Sequence, residues 1–200
     1  MADWDADSTQ LAHNLTQLLA TVRDAARARE VPTAAAAKAW HGDMMRRLDV
    51  PDPAYVGAFR GEPGLERINV RVGTHLGSPA REVAEALASF EARFQRSVAV
   101  LDDLIPPGSE LDADRVAAVI ELCAWVHAEW IRIHPFANGN GRIARLWVAY
   151  IAMRYRLPIF LRLRPRPDGE YGRAAMAAMS GNWEPTEQLF RKLYVEAIRQ

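Results

Sequence analysis

The sequence predicts a mainly α-helical protein with one small β element. Apolar residues recur every three or four positions through most of the chain, and proline or glycine stands where each periodic segment stops. Residues 54–78 depart from this pattern, because five glycines there surround a short alternating run. At 200 residues the chain has the length of one domain. We expect an N-terminal helical region, residues 1–53, to pack on a domain of residues 54–200 as one compact unit.

Two helices are predicted in the N-terminal region. The first spans residues 3–30, has Ser8 and Thr9 as capping candidates and is stopped by Pro32. The second is capped by Thr33 and runs to about Leu48, after which two prolines prevent its continuation.

A β-hairpin is predicted in the glycine-rich stretch. The run Ile68–Val72 alternates apolar and polar residues, as a half-buried strand does. The turn formers of Gly61–Gly64 precede it, and Ala58–Arg60 precede the turn. We therefore expect Ala58–Arg60 to pair with Ile68–Val72, and the hairpin to lie against the helices, because an isolated hairpin is marginally stable.

Five further helices are predicted, each bounded by a capping residue, a glycine or a proline. The apolar stripe of the second of them continues to His134, where Pro135 ends the helix. His127 lies on the same stripe and is interpreted as a packing residue, as is Cys123. The predicted helices cover residues 78–104, 111–132, 140–156, 168–179 and 185–200.

The composition argues against several classes of function. The 25 Lys and Arg residues equal the 25 Asp and Glu residues, so no overall field attracts nucleic acid, and we expect no nucleic-acid partner. Cys123 is the single cysteine, which excludes a disulfide framework and a multi-thiolate metal site. The N-terminus lacks an apolar signal segment, and no run of about 18 apolar residues occurs. We expect a cytoplasmic protein without a membrane partner.

Residues 134–145, here called the motif segment, hold the best candidates for chemistry. His134 is a possible proton acceptor beside the glycine-bracketed turn Gly139–Gly141. Arg142 and Arg145 follow at a spacing that places both on one side of a helical turn. If a helix begins at the turn, its N-terminal amides point towards a bound anion. The residues thus predict an anion site with a base at its edge.

The motif segment reads His-Pro-Phe-Ala-Asn-Gly-Asn-Gly-Arg-Ile-Ala-Arg and resembles the signature of Fic-domain proteins, His-x-Phe-x-(Asp/Glu)-Gly-Asn-Gly-Arg-x-x-Arg. The resemblance covers roughly residues 50–190. It implies a Fic-type helical bundle in which the signature is the catalytic loop between two central helices. It also implies a β-hairpin flap upstream, for which residues 54–78 are the candidate.

The resemblance further implies transfer of AMP from ATP to a Ser, Thr or Tyr hydroxyl of a target protein. In such a reaction His134 would be the catalytic base. The backbone amides of the glycine turn would form the anion hole, and the two arginines would hold the phosphates. Pro135 and Phe136 would be structural. The residues expected to bind the nucleotide are Gly139, Asn140, Gly141, Arg142 and Arg145.

Asn138 departs from the signature, which has Asp or Glu as the ligand of Mg²⁺ at this position. An amide offers one neutral oxygen in place of a carboxylate, so Mg²⁺ should bind weakly here or be held by nucleotide and water. We hypothesise a slow or atypical transferase in which Asn138→Asp raises Mg²⁺-dependent transfer. The alternative is a catalytically impaired Fic fold that serves as a nucleotide- or protein-binding module.

Two further comparisons with the family concern subclass and regulation. The Doc-like branch, which transfers a phosphoryl group, replaces the loop glycines with Ala and Lys, whereas Gly139 and Gly141 favour nucleotidyl transfer. Many members carry an inhibitory helix, (Ser/Thr)-x-x-x-Glu-(Gly/Asn), but no glutamate of this chain precedes Gly or Asn. Inhibition would then come from a separate antitoxin-like partner, as for a toxin, or from a different element.

One basic run lies outside the motif segment. Arg162, Arg164 and Arg166 alternate along a proline-containing stretch and could form a phosphate or nucleic-acid patch. A solvated edge strand or loop is the favoured interpretation.

Overall fold

The computed structural model describes residues 8–165, 167 and 169–199, and over these residues the fold is mainly α-helical, as predicted. Two short 3₁₀ turns, at Pro53–Tyr55 and Ala80–Glu82, accompany the main elements. The elements are α1 Thr9–Arg27, α2 Ala34–Met44, β1 Arg71–Val72, β2 His75–Leu76, α3 Val83–Leu104, α4 Ala113–Ile133, α5 Asn140–Arg154, α6 Glu170–Met179 and α7 Glu184–Ile198.

Side-chain caps define the start of three helices. Ser8 Oγ accepts a hydrogen bond from the Leu11 amide at 3.0 Å, and this confirms Ser8 as the cap of α1. Thr33 caps α2 in the same way. Asp112 Oδ1 accepts from the Arg115 amide at 2.8 Å at the start of α4. The predicted start of the first helix at residue 3 lies outside the described residues.

Helices α4 and α5 form the centre of the fold, with α1 packed on α5, and α3, α6 and α7 packed on α4. An aromatic cluster fills the space between α3, α4 and α5. The ring of Phe90 lies 5.5 Å from Trp130 and 5.6 Å from Trp147, both in edge-to-face geometry. This core fixes the position of the connection between α4 and α5, which contains the first half of the motif segment.

The predicted apolar stripes are confirmed for α3 and α5 and for most of α4. Cys123 and His127 are buried in α4, as expected of packing residues. The prediction that His134 extends this stripe is wrong. His134 is the left-handed cap that ends α4, with φ 54° and ψ 55°. The buried stripe residues of α3 and α5 are Val83, Leu87, Phe90, Phe94, Val98, Ile143, Leu146, Trp147, Tyr150 and Ile151.

A hairpin is present in the glycine-rich stretch, but the predicted pairing is wrong. Arg71 pairs with Leu76 and Val72 with His75, across a turn that includes Gly73 at φ 59°. The error has a tertiary cause. The backbone amide of Arg60 donates to the carbonyl of Pro135 at 2.8 Å, so residues near 60 pair with the motif segment rather than with a neighbouring strand.

The basic run of residues 162–166 lies in irregular structure where it is described. Arg162 is exposed, and Arg164 is half-buried and donates from Nη1 to the carbonyl of Ser8 at 3.0 Å. Arg166 lies outside the described residues, as does Asp168, the predicted start of the sixth helix. Among the helices described, none has the length and hydropathy that crossing a membrane requires.

Candidate active site

The site begins with the backbone at His134. Few non-glycine residues adopt the left-handed conformation, because the β-carbon crowds the following carbonyl. Here the conformation is held from outside the helix. The carbonyl of Ile133 accepts hydrogen bonds from Arg60 Nη2 at 2.9 Å and from the Ser78 amide at 3.2 Å. The surrounding structure therefore imposes the turn that carries His134 out of α4.

Arg60 was not predicted as a site residue, yet it holds this turn. Its side chain is 1% exposed and donates from Nε to the carbonyl of His134 at 2.8 Å. It also donates from Nη1 to the carbonyl of Ile68 at 3.2 Å. Burial lowers the pKa of Arg60 to about 10, so the guanidinium stays charged at neutral pH. A cation at a helix C-terminus also complements the helix dipole.

Gly77 packs directly against the candidate base. A β-carbon built at Gly77 would lie 2.7 Å from Cβ of His134 and 3.1 Å from Nη2 of Arg60. The distance of 2.7 Å is shorter than real β-carbon contacts, and the distance of 3.1 Å is tighter than most of them. Position 77 therefore requires glycine because His134 and Arg60 approach its backbone closely.

The imidazole of His134 has a defined orientation and protonation state. Nδ1 lies 3.0 Å from the carbonyl oxygen of Ile131 and must donate to it, since a carbonyl only accepts. In the neutral ring Nε2 therefore carries the lone pair. Burial lowers the pKa of His134 to about 4; the bond to Ile131 opposes this shift, and the charge of Arg60 adds to it. At neutral pH His134 is a proton acceptor at Nε2.

The side chain of Asn140 locks the turn that follows. Its Oδ1 accepts from the Phe136 amide at 2.9 Å, and its Nδ2 donates to the Phe136 carbonyl at 2.8 Å. Phe136 is completely buried, in agreement with the structural role expected for it. The contribution of Asn140 to an anion site is therefore limited to its backbone amide.

His41 of α2 also supports the turn and was not predicted from the sequence. Its Nδ1 accepts from the Gly57 amide at 2.9 Å, which leaves Nε2–H to donate to the carbonyl of Asn138 at 3.1 Å. The ring stacks on Phe136 with centroids 4.0 Å apart. Burial lowers the pKa of His41 to about 4, so the ring is neutral. One side chain thus fixes both ends of the segment Phe136–Asn138.

Asn138 and Gly139 form the tightest part of the turn. Gly139 has φ 78°, and a β-carbon there would lie 2.8 Å from Cε of Met44. The amide of Gly139 donates to Oδ1 of Asn138 at 2.6 Å. Within the described part of the chain, Nδ2 of Asn138 is buried without a hydrogen-bond partner. Because its amide is bonded to Oδ1 of Asn138, Gly139 has no free backbone donor for an anion in this conformation.

Helix α5 begins at Asn140 with Gly139 as its N-terminal cap. The amides of Asn140 and Gly141 occupy the first turn, where helix geometry supplies no backbone acceptor. Arg142 and Arg145 lie near the start of α5, three positions apart, and are 6% and 4% exposed. These groups give the helix end a positive character that suits an anion.

Arg145 is held by two elements that follow α5. Its Nη2 donates to the carbonyl of Leu163 at 2.9 Å, and its Nη1 donates to Oη of Tyr171 at 3.1 Å. The hydroxyl of Tyr171 also lies 2.8 Å from Nε2 of His127. Burial and the nearby charge of Arg145 lower the pKa of His127 to about 3. Tyr171 was not predicted, because nothing near it in sequence distinguishes it from other core aromatics.

A cavity of about 240 Å³ unites these groups. One wall comes from β1 and α6, and the floor is the motif segment. No lining residue that the structure describes carries a carboxylate, and Arg142 and Arg145 contribute two guanidinium groups to the lining. The lining consists of His134, Asn138, Gly139, Asn140, Gly141, Arg142 and Arg145 from the motif segment, with Val72, Ile131, Tyr171 and Ala175.

The residues at this cavity do not fit a resident Mg²⁺ ion. Magnesium prefers carboxylate and phosphate oxygens in octahedral geometry. The side-chain oxygen of Asn138 is engaged by the Gly139 amide at 2.6 Å, and the other heteroatom is a nitrogen. The described residues also include no cluster of three or more His, Cys, Asp or Glu side chains that would hold a metal.

Comparisons with known proteins identify the family and the fold. The model of the Fic/DOC family matches residues 30–152. The chain belongs to the Fic/DOC family. A curated relative, the Protein adenylyltransferase Fic of Nematostella vectensis, is 32% identical over an alignment 91 residues long, which covers 38% of this chain and 21% of the relative. The chain thus spans about a fifth of the length of that relative.

Two solved structures share the fold. A Fic domain containing signaling protein from Bacteroides thetaiotaomicron has a TM-score of 0.61 and 19% identity, covering 94% of this chain and 66% of that one. The BepC protein of Bartonella tribocorum, a VirB-translocated effector crystallised with bound AMPPNP, has a TM-score of 0.64 and 18% identity, covering 92% and 83%. The predicted Fic-type helical fold is confirmed.

Proposed function

We propose that this protein transfers AMP from ATP to the hydroxyl of a Ser, Thr or Tyr side chain of a target protein. The observation that carries the proposal is that His134, the N-terminus of α5, Arg142 and Arg145 all line the same cavity. A base and an anion site must share one cavity for a hydroxyl to attack a phosphate.

In the proposed reaction the target oxygen forms a bond to the α-phosphorus of ATP. The bond from that phosphorus to the bridging oxygen breaks, and pyrophosphate leaves with the electron pair. Nε2 of His134 takes the hydroxyl proton, because Nδ1 is committed to the carbonyl of Ile131. The amides of Asn140 and Gly141 stabilise the charge that grows on the phosphate oxygens.

The two arginines bind the remainder of the nucleotide in this proposal. Guanidinium groups make bidentate contacts to phosphate oxygens, and both side chains line the cavity. Arg142 would contact the β- and γ-phosphates. Arg145, already anchored to Leu163 and Tyr171, would hold the end of the triphosphate and the wall of the cavity together. The relative named an adenylyltransferase and the neighbour crystallised with AMPPNP support ATP as the substrate.

The hairpin is the proposed docking element for the target. Strand β1 lines the cavity through Val72, and Leu76 of β2 is 58% exposed. An extended target segment can add to the edge of such a hairpin by main-chain hydrogen bonds. That arrangement would bring a hydroxyl side chain towards His134.

Transfer is tested with ATP labelled on its α-phosphate, purified protein, Mg²⁺ or Mn²⁺, and lysate as the source of targets. We expect label on a target protein with the native chain and none with His134→Ala. His13→Ala serves as the matched control, because His13 lies on the exposed face of α1. Equal labelling by His134→Ala would refute the role of His134.

A second candidate function is a nucleotide- or protein-binding module without transfer. The absence of a carboxylate among the described lining residues favours it, since the amide of Asn138 is a weaker metal ligand than an acid. Nucleotide binding without labelling under every metal tried would establish the module. If the chain is an active toxin, its inhibitor is proposed to be a separate antitoxin-like partner that reaches the same cavity.

A further inference from the structure

The carboxamide of Asn138 has one orientation that its surroundings allow. Oδ1 accepts a hydrogen bond from the Gly139 amide at 2.6 Å. The flipped orientation would set the NH₂ group against another N–H donor and is therefore excluded. The second heteroatom of the side chain is thus Nδ2. An aspartate bonded to Gly139 in the same way would have an oxygen at that place.

Nδ2 of Asn138 is a donor that the described protein does not satisfy. It is buried, and no described group accepts a hydrogen bond from it. Buried polar atoms in folded proteins are nearly always paired with protein, water or a ligand. Because Asn138 lines the cavity, an acceptor brought by a ligand is the natural partner for this donor.

Other polar groups that line the cavity also donate hydrogen bonds. Arg142, Arg145 and the first-turn amides of α5 are all donors, and the described lining has no carboxylate. A divalent cation entering alone would meet two guanidinium groups and no carboxylate among the described lining residues. The negative charge of a polyanion would be compensated by the two arginines and the first-turn amides of α5.

We propose that Asn138 acts as a hydrogen-bond donor to the bound anion, so that this cavity binds a nucleoside triphosphate without a divalent cation. The proposal rests on the nucleotide site of the proposed function. In this proposal the Asn138 side chain donates a hydrogen bond directly to a phosphate oxygen. An Asp or Glu at position 138 could bind the same phosphate only through a cation placed between the carboxylate and the phosphate.

The experiment measures the dissociation constant of AMPPNP by calorimetry, once in EDTA and once in excess Mg²⁺. For the native protein the two constants should agree within about threefold. Asn138→Asp should bind at least about tenfold more tightly in Mg²⁺ than in EDTA, because its added oxygen repels the phosphates unless a cation intervenes. Asn182→Asp is the matched control, an exposed site with the same change of charge, and should behave like the native protein.

The other outcomes distinguish failure of the inference from failure of the proposed transfer activity. Native binding that needs Mg²⁺ overturns the inference and leaves transfer possible. Binding without metal, together with no transfer, supports the inference and removes the proposed activity. No binding in either condition overturns both.

If Asn138→Asp fails to fold, Asn138→Ala takes its place after a thermal unfolding check. Loss of the donor should then weaken binding in EDTA about fivefold, and unchanged binding overturns the inference.

Discussion

Nε of Arg60 lies 2.8 Å from the carbonyl oxygen of His134, and Nη2 of the same guanidinium lies 2.9 Å from the carbonyl oxygen of Ile133. One buried cation therefore binds the carbonyl of Ile133, the last residue of α4, and the carbonyl of His134, which caps that helix. The relationship couples the backbone of the candidate base to a residue 74 positions earlier in the chain. It makes Arg60 a positioning residue, since it contacts the backbone of His134 and does not line the cavity.

Arg60→Lys should lower both stability and transfer. Lysine keeps the charge but has no planar fork, so it cannot reach the carbonyls of Ile68, Ile133 and His134 together. Buried hydrogen bonds to a charged group contribute about 1.5–3 kcal/mol each, and we expect a loss of about 2–4 kcal/mol in the free energy of unfolding. Chemical denaturation measures it. Arg67→Lys, at an exposed position, should leave stability unchanged.

Gly77→Ala should displace His134 and reduce transfer at least about tenfold, because its β-carbon would sit 2.7 Å from Cβ of His134. The rate of target labelling measures the effect. Gly42→Ala is the control, since a β-carbon at Gly42 meets nothing within 4 Å. Native activity in Gly77→Ala would mean that the left-handed turn at His134 is not required.

His41→Ala should loosen the segment Phe136–Asn138 while leaving the base in place. The variant loses the donor to the Asn138 carbonyl and the stacking partner of Phe136. Removal of a buried ring costs about 2–4 kcal/mol of stability, and we expect the KM for ATP to rise more than kcat falls. His41→Gln, which can donate to the same carbonyl, should restore part of the affinity. Equal loss in both variants would contradict the hydrogen-bonding role.

The activity should persist to unusually low pH for a histidine base. Because the pKa of His134 is lowered from 6.5 to about 4, the neutral form dominates well below pH 6.5. We expect kcat/KM to stay level as the pH falls from about 8 to about 6 and to decline only towards pH 4. A pH–rate profile on a fixed target peptide measures this. A decline centred at 6.5 would show that the imidazole is solvated in the working enzyme.

Stability should fall as the solution becomes acidic. Burial lowers the pKa of His41 and His134 to about 4 and that of His127 to about 3, against 6.5 in the unfolded chain. The unfolded state therefore binds more protons below pH 6.5. The stabilisation is fully present above that pH and is lost as the pH falls towards the folded values. Each histidine adds up to about 1.4 kcal/mol per pH unit. Urea titrations at several pH values measure the slope, and a flat profile would contradict the burial of these rings.

The local sequence pattern was sufficient to predict the helices and the residues that make up the motif segment. Caps such as Ser8 and Thr33 and the stripes of α3 and α5 were predictable because a helix repeats every few residues. The hairpin was predicted in the right stretch with the wrong partners. Turn residues occur at both 61–64 and 73–74. The backbone contact of Arg60 with Pro135 takes residue 60 out of pairing across the first turn, and the strands pair across the second.

The sequence by itself determined that a histidine, a glycine turn and two arginines share one segment, and that an amide stands where the Fic signature has an acid. Only the tertiary structure decided what holds that segment. His41 reaches the Asn138 carbonyl across 97 positions, and Tyr171 reaches Arg145 across 26. Such contacts depend on how helices pack, which has no short-range period in sequence. The same packing directs Nδ1 of His134 to Ile131 and the Asn138 oxygen to Gly139. It therefore leaves Nε2 of His134 with a lone pair and Nδ2 of Asn138 without an acceptor among the described residues.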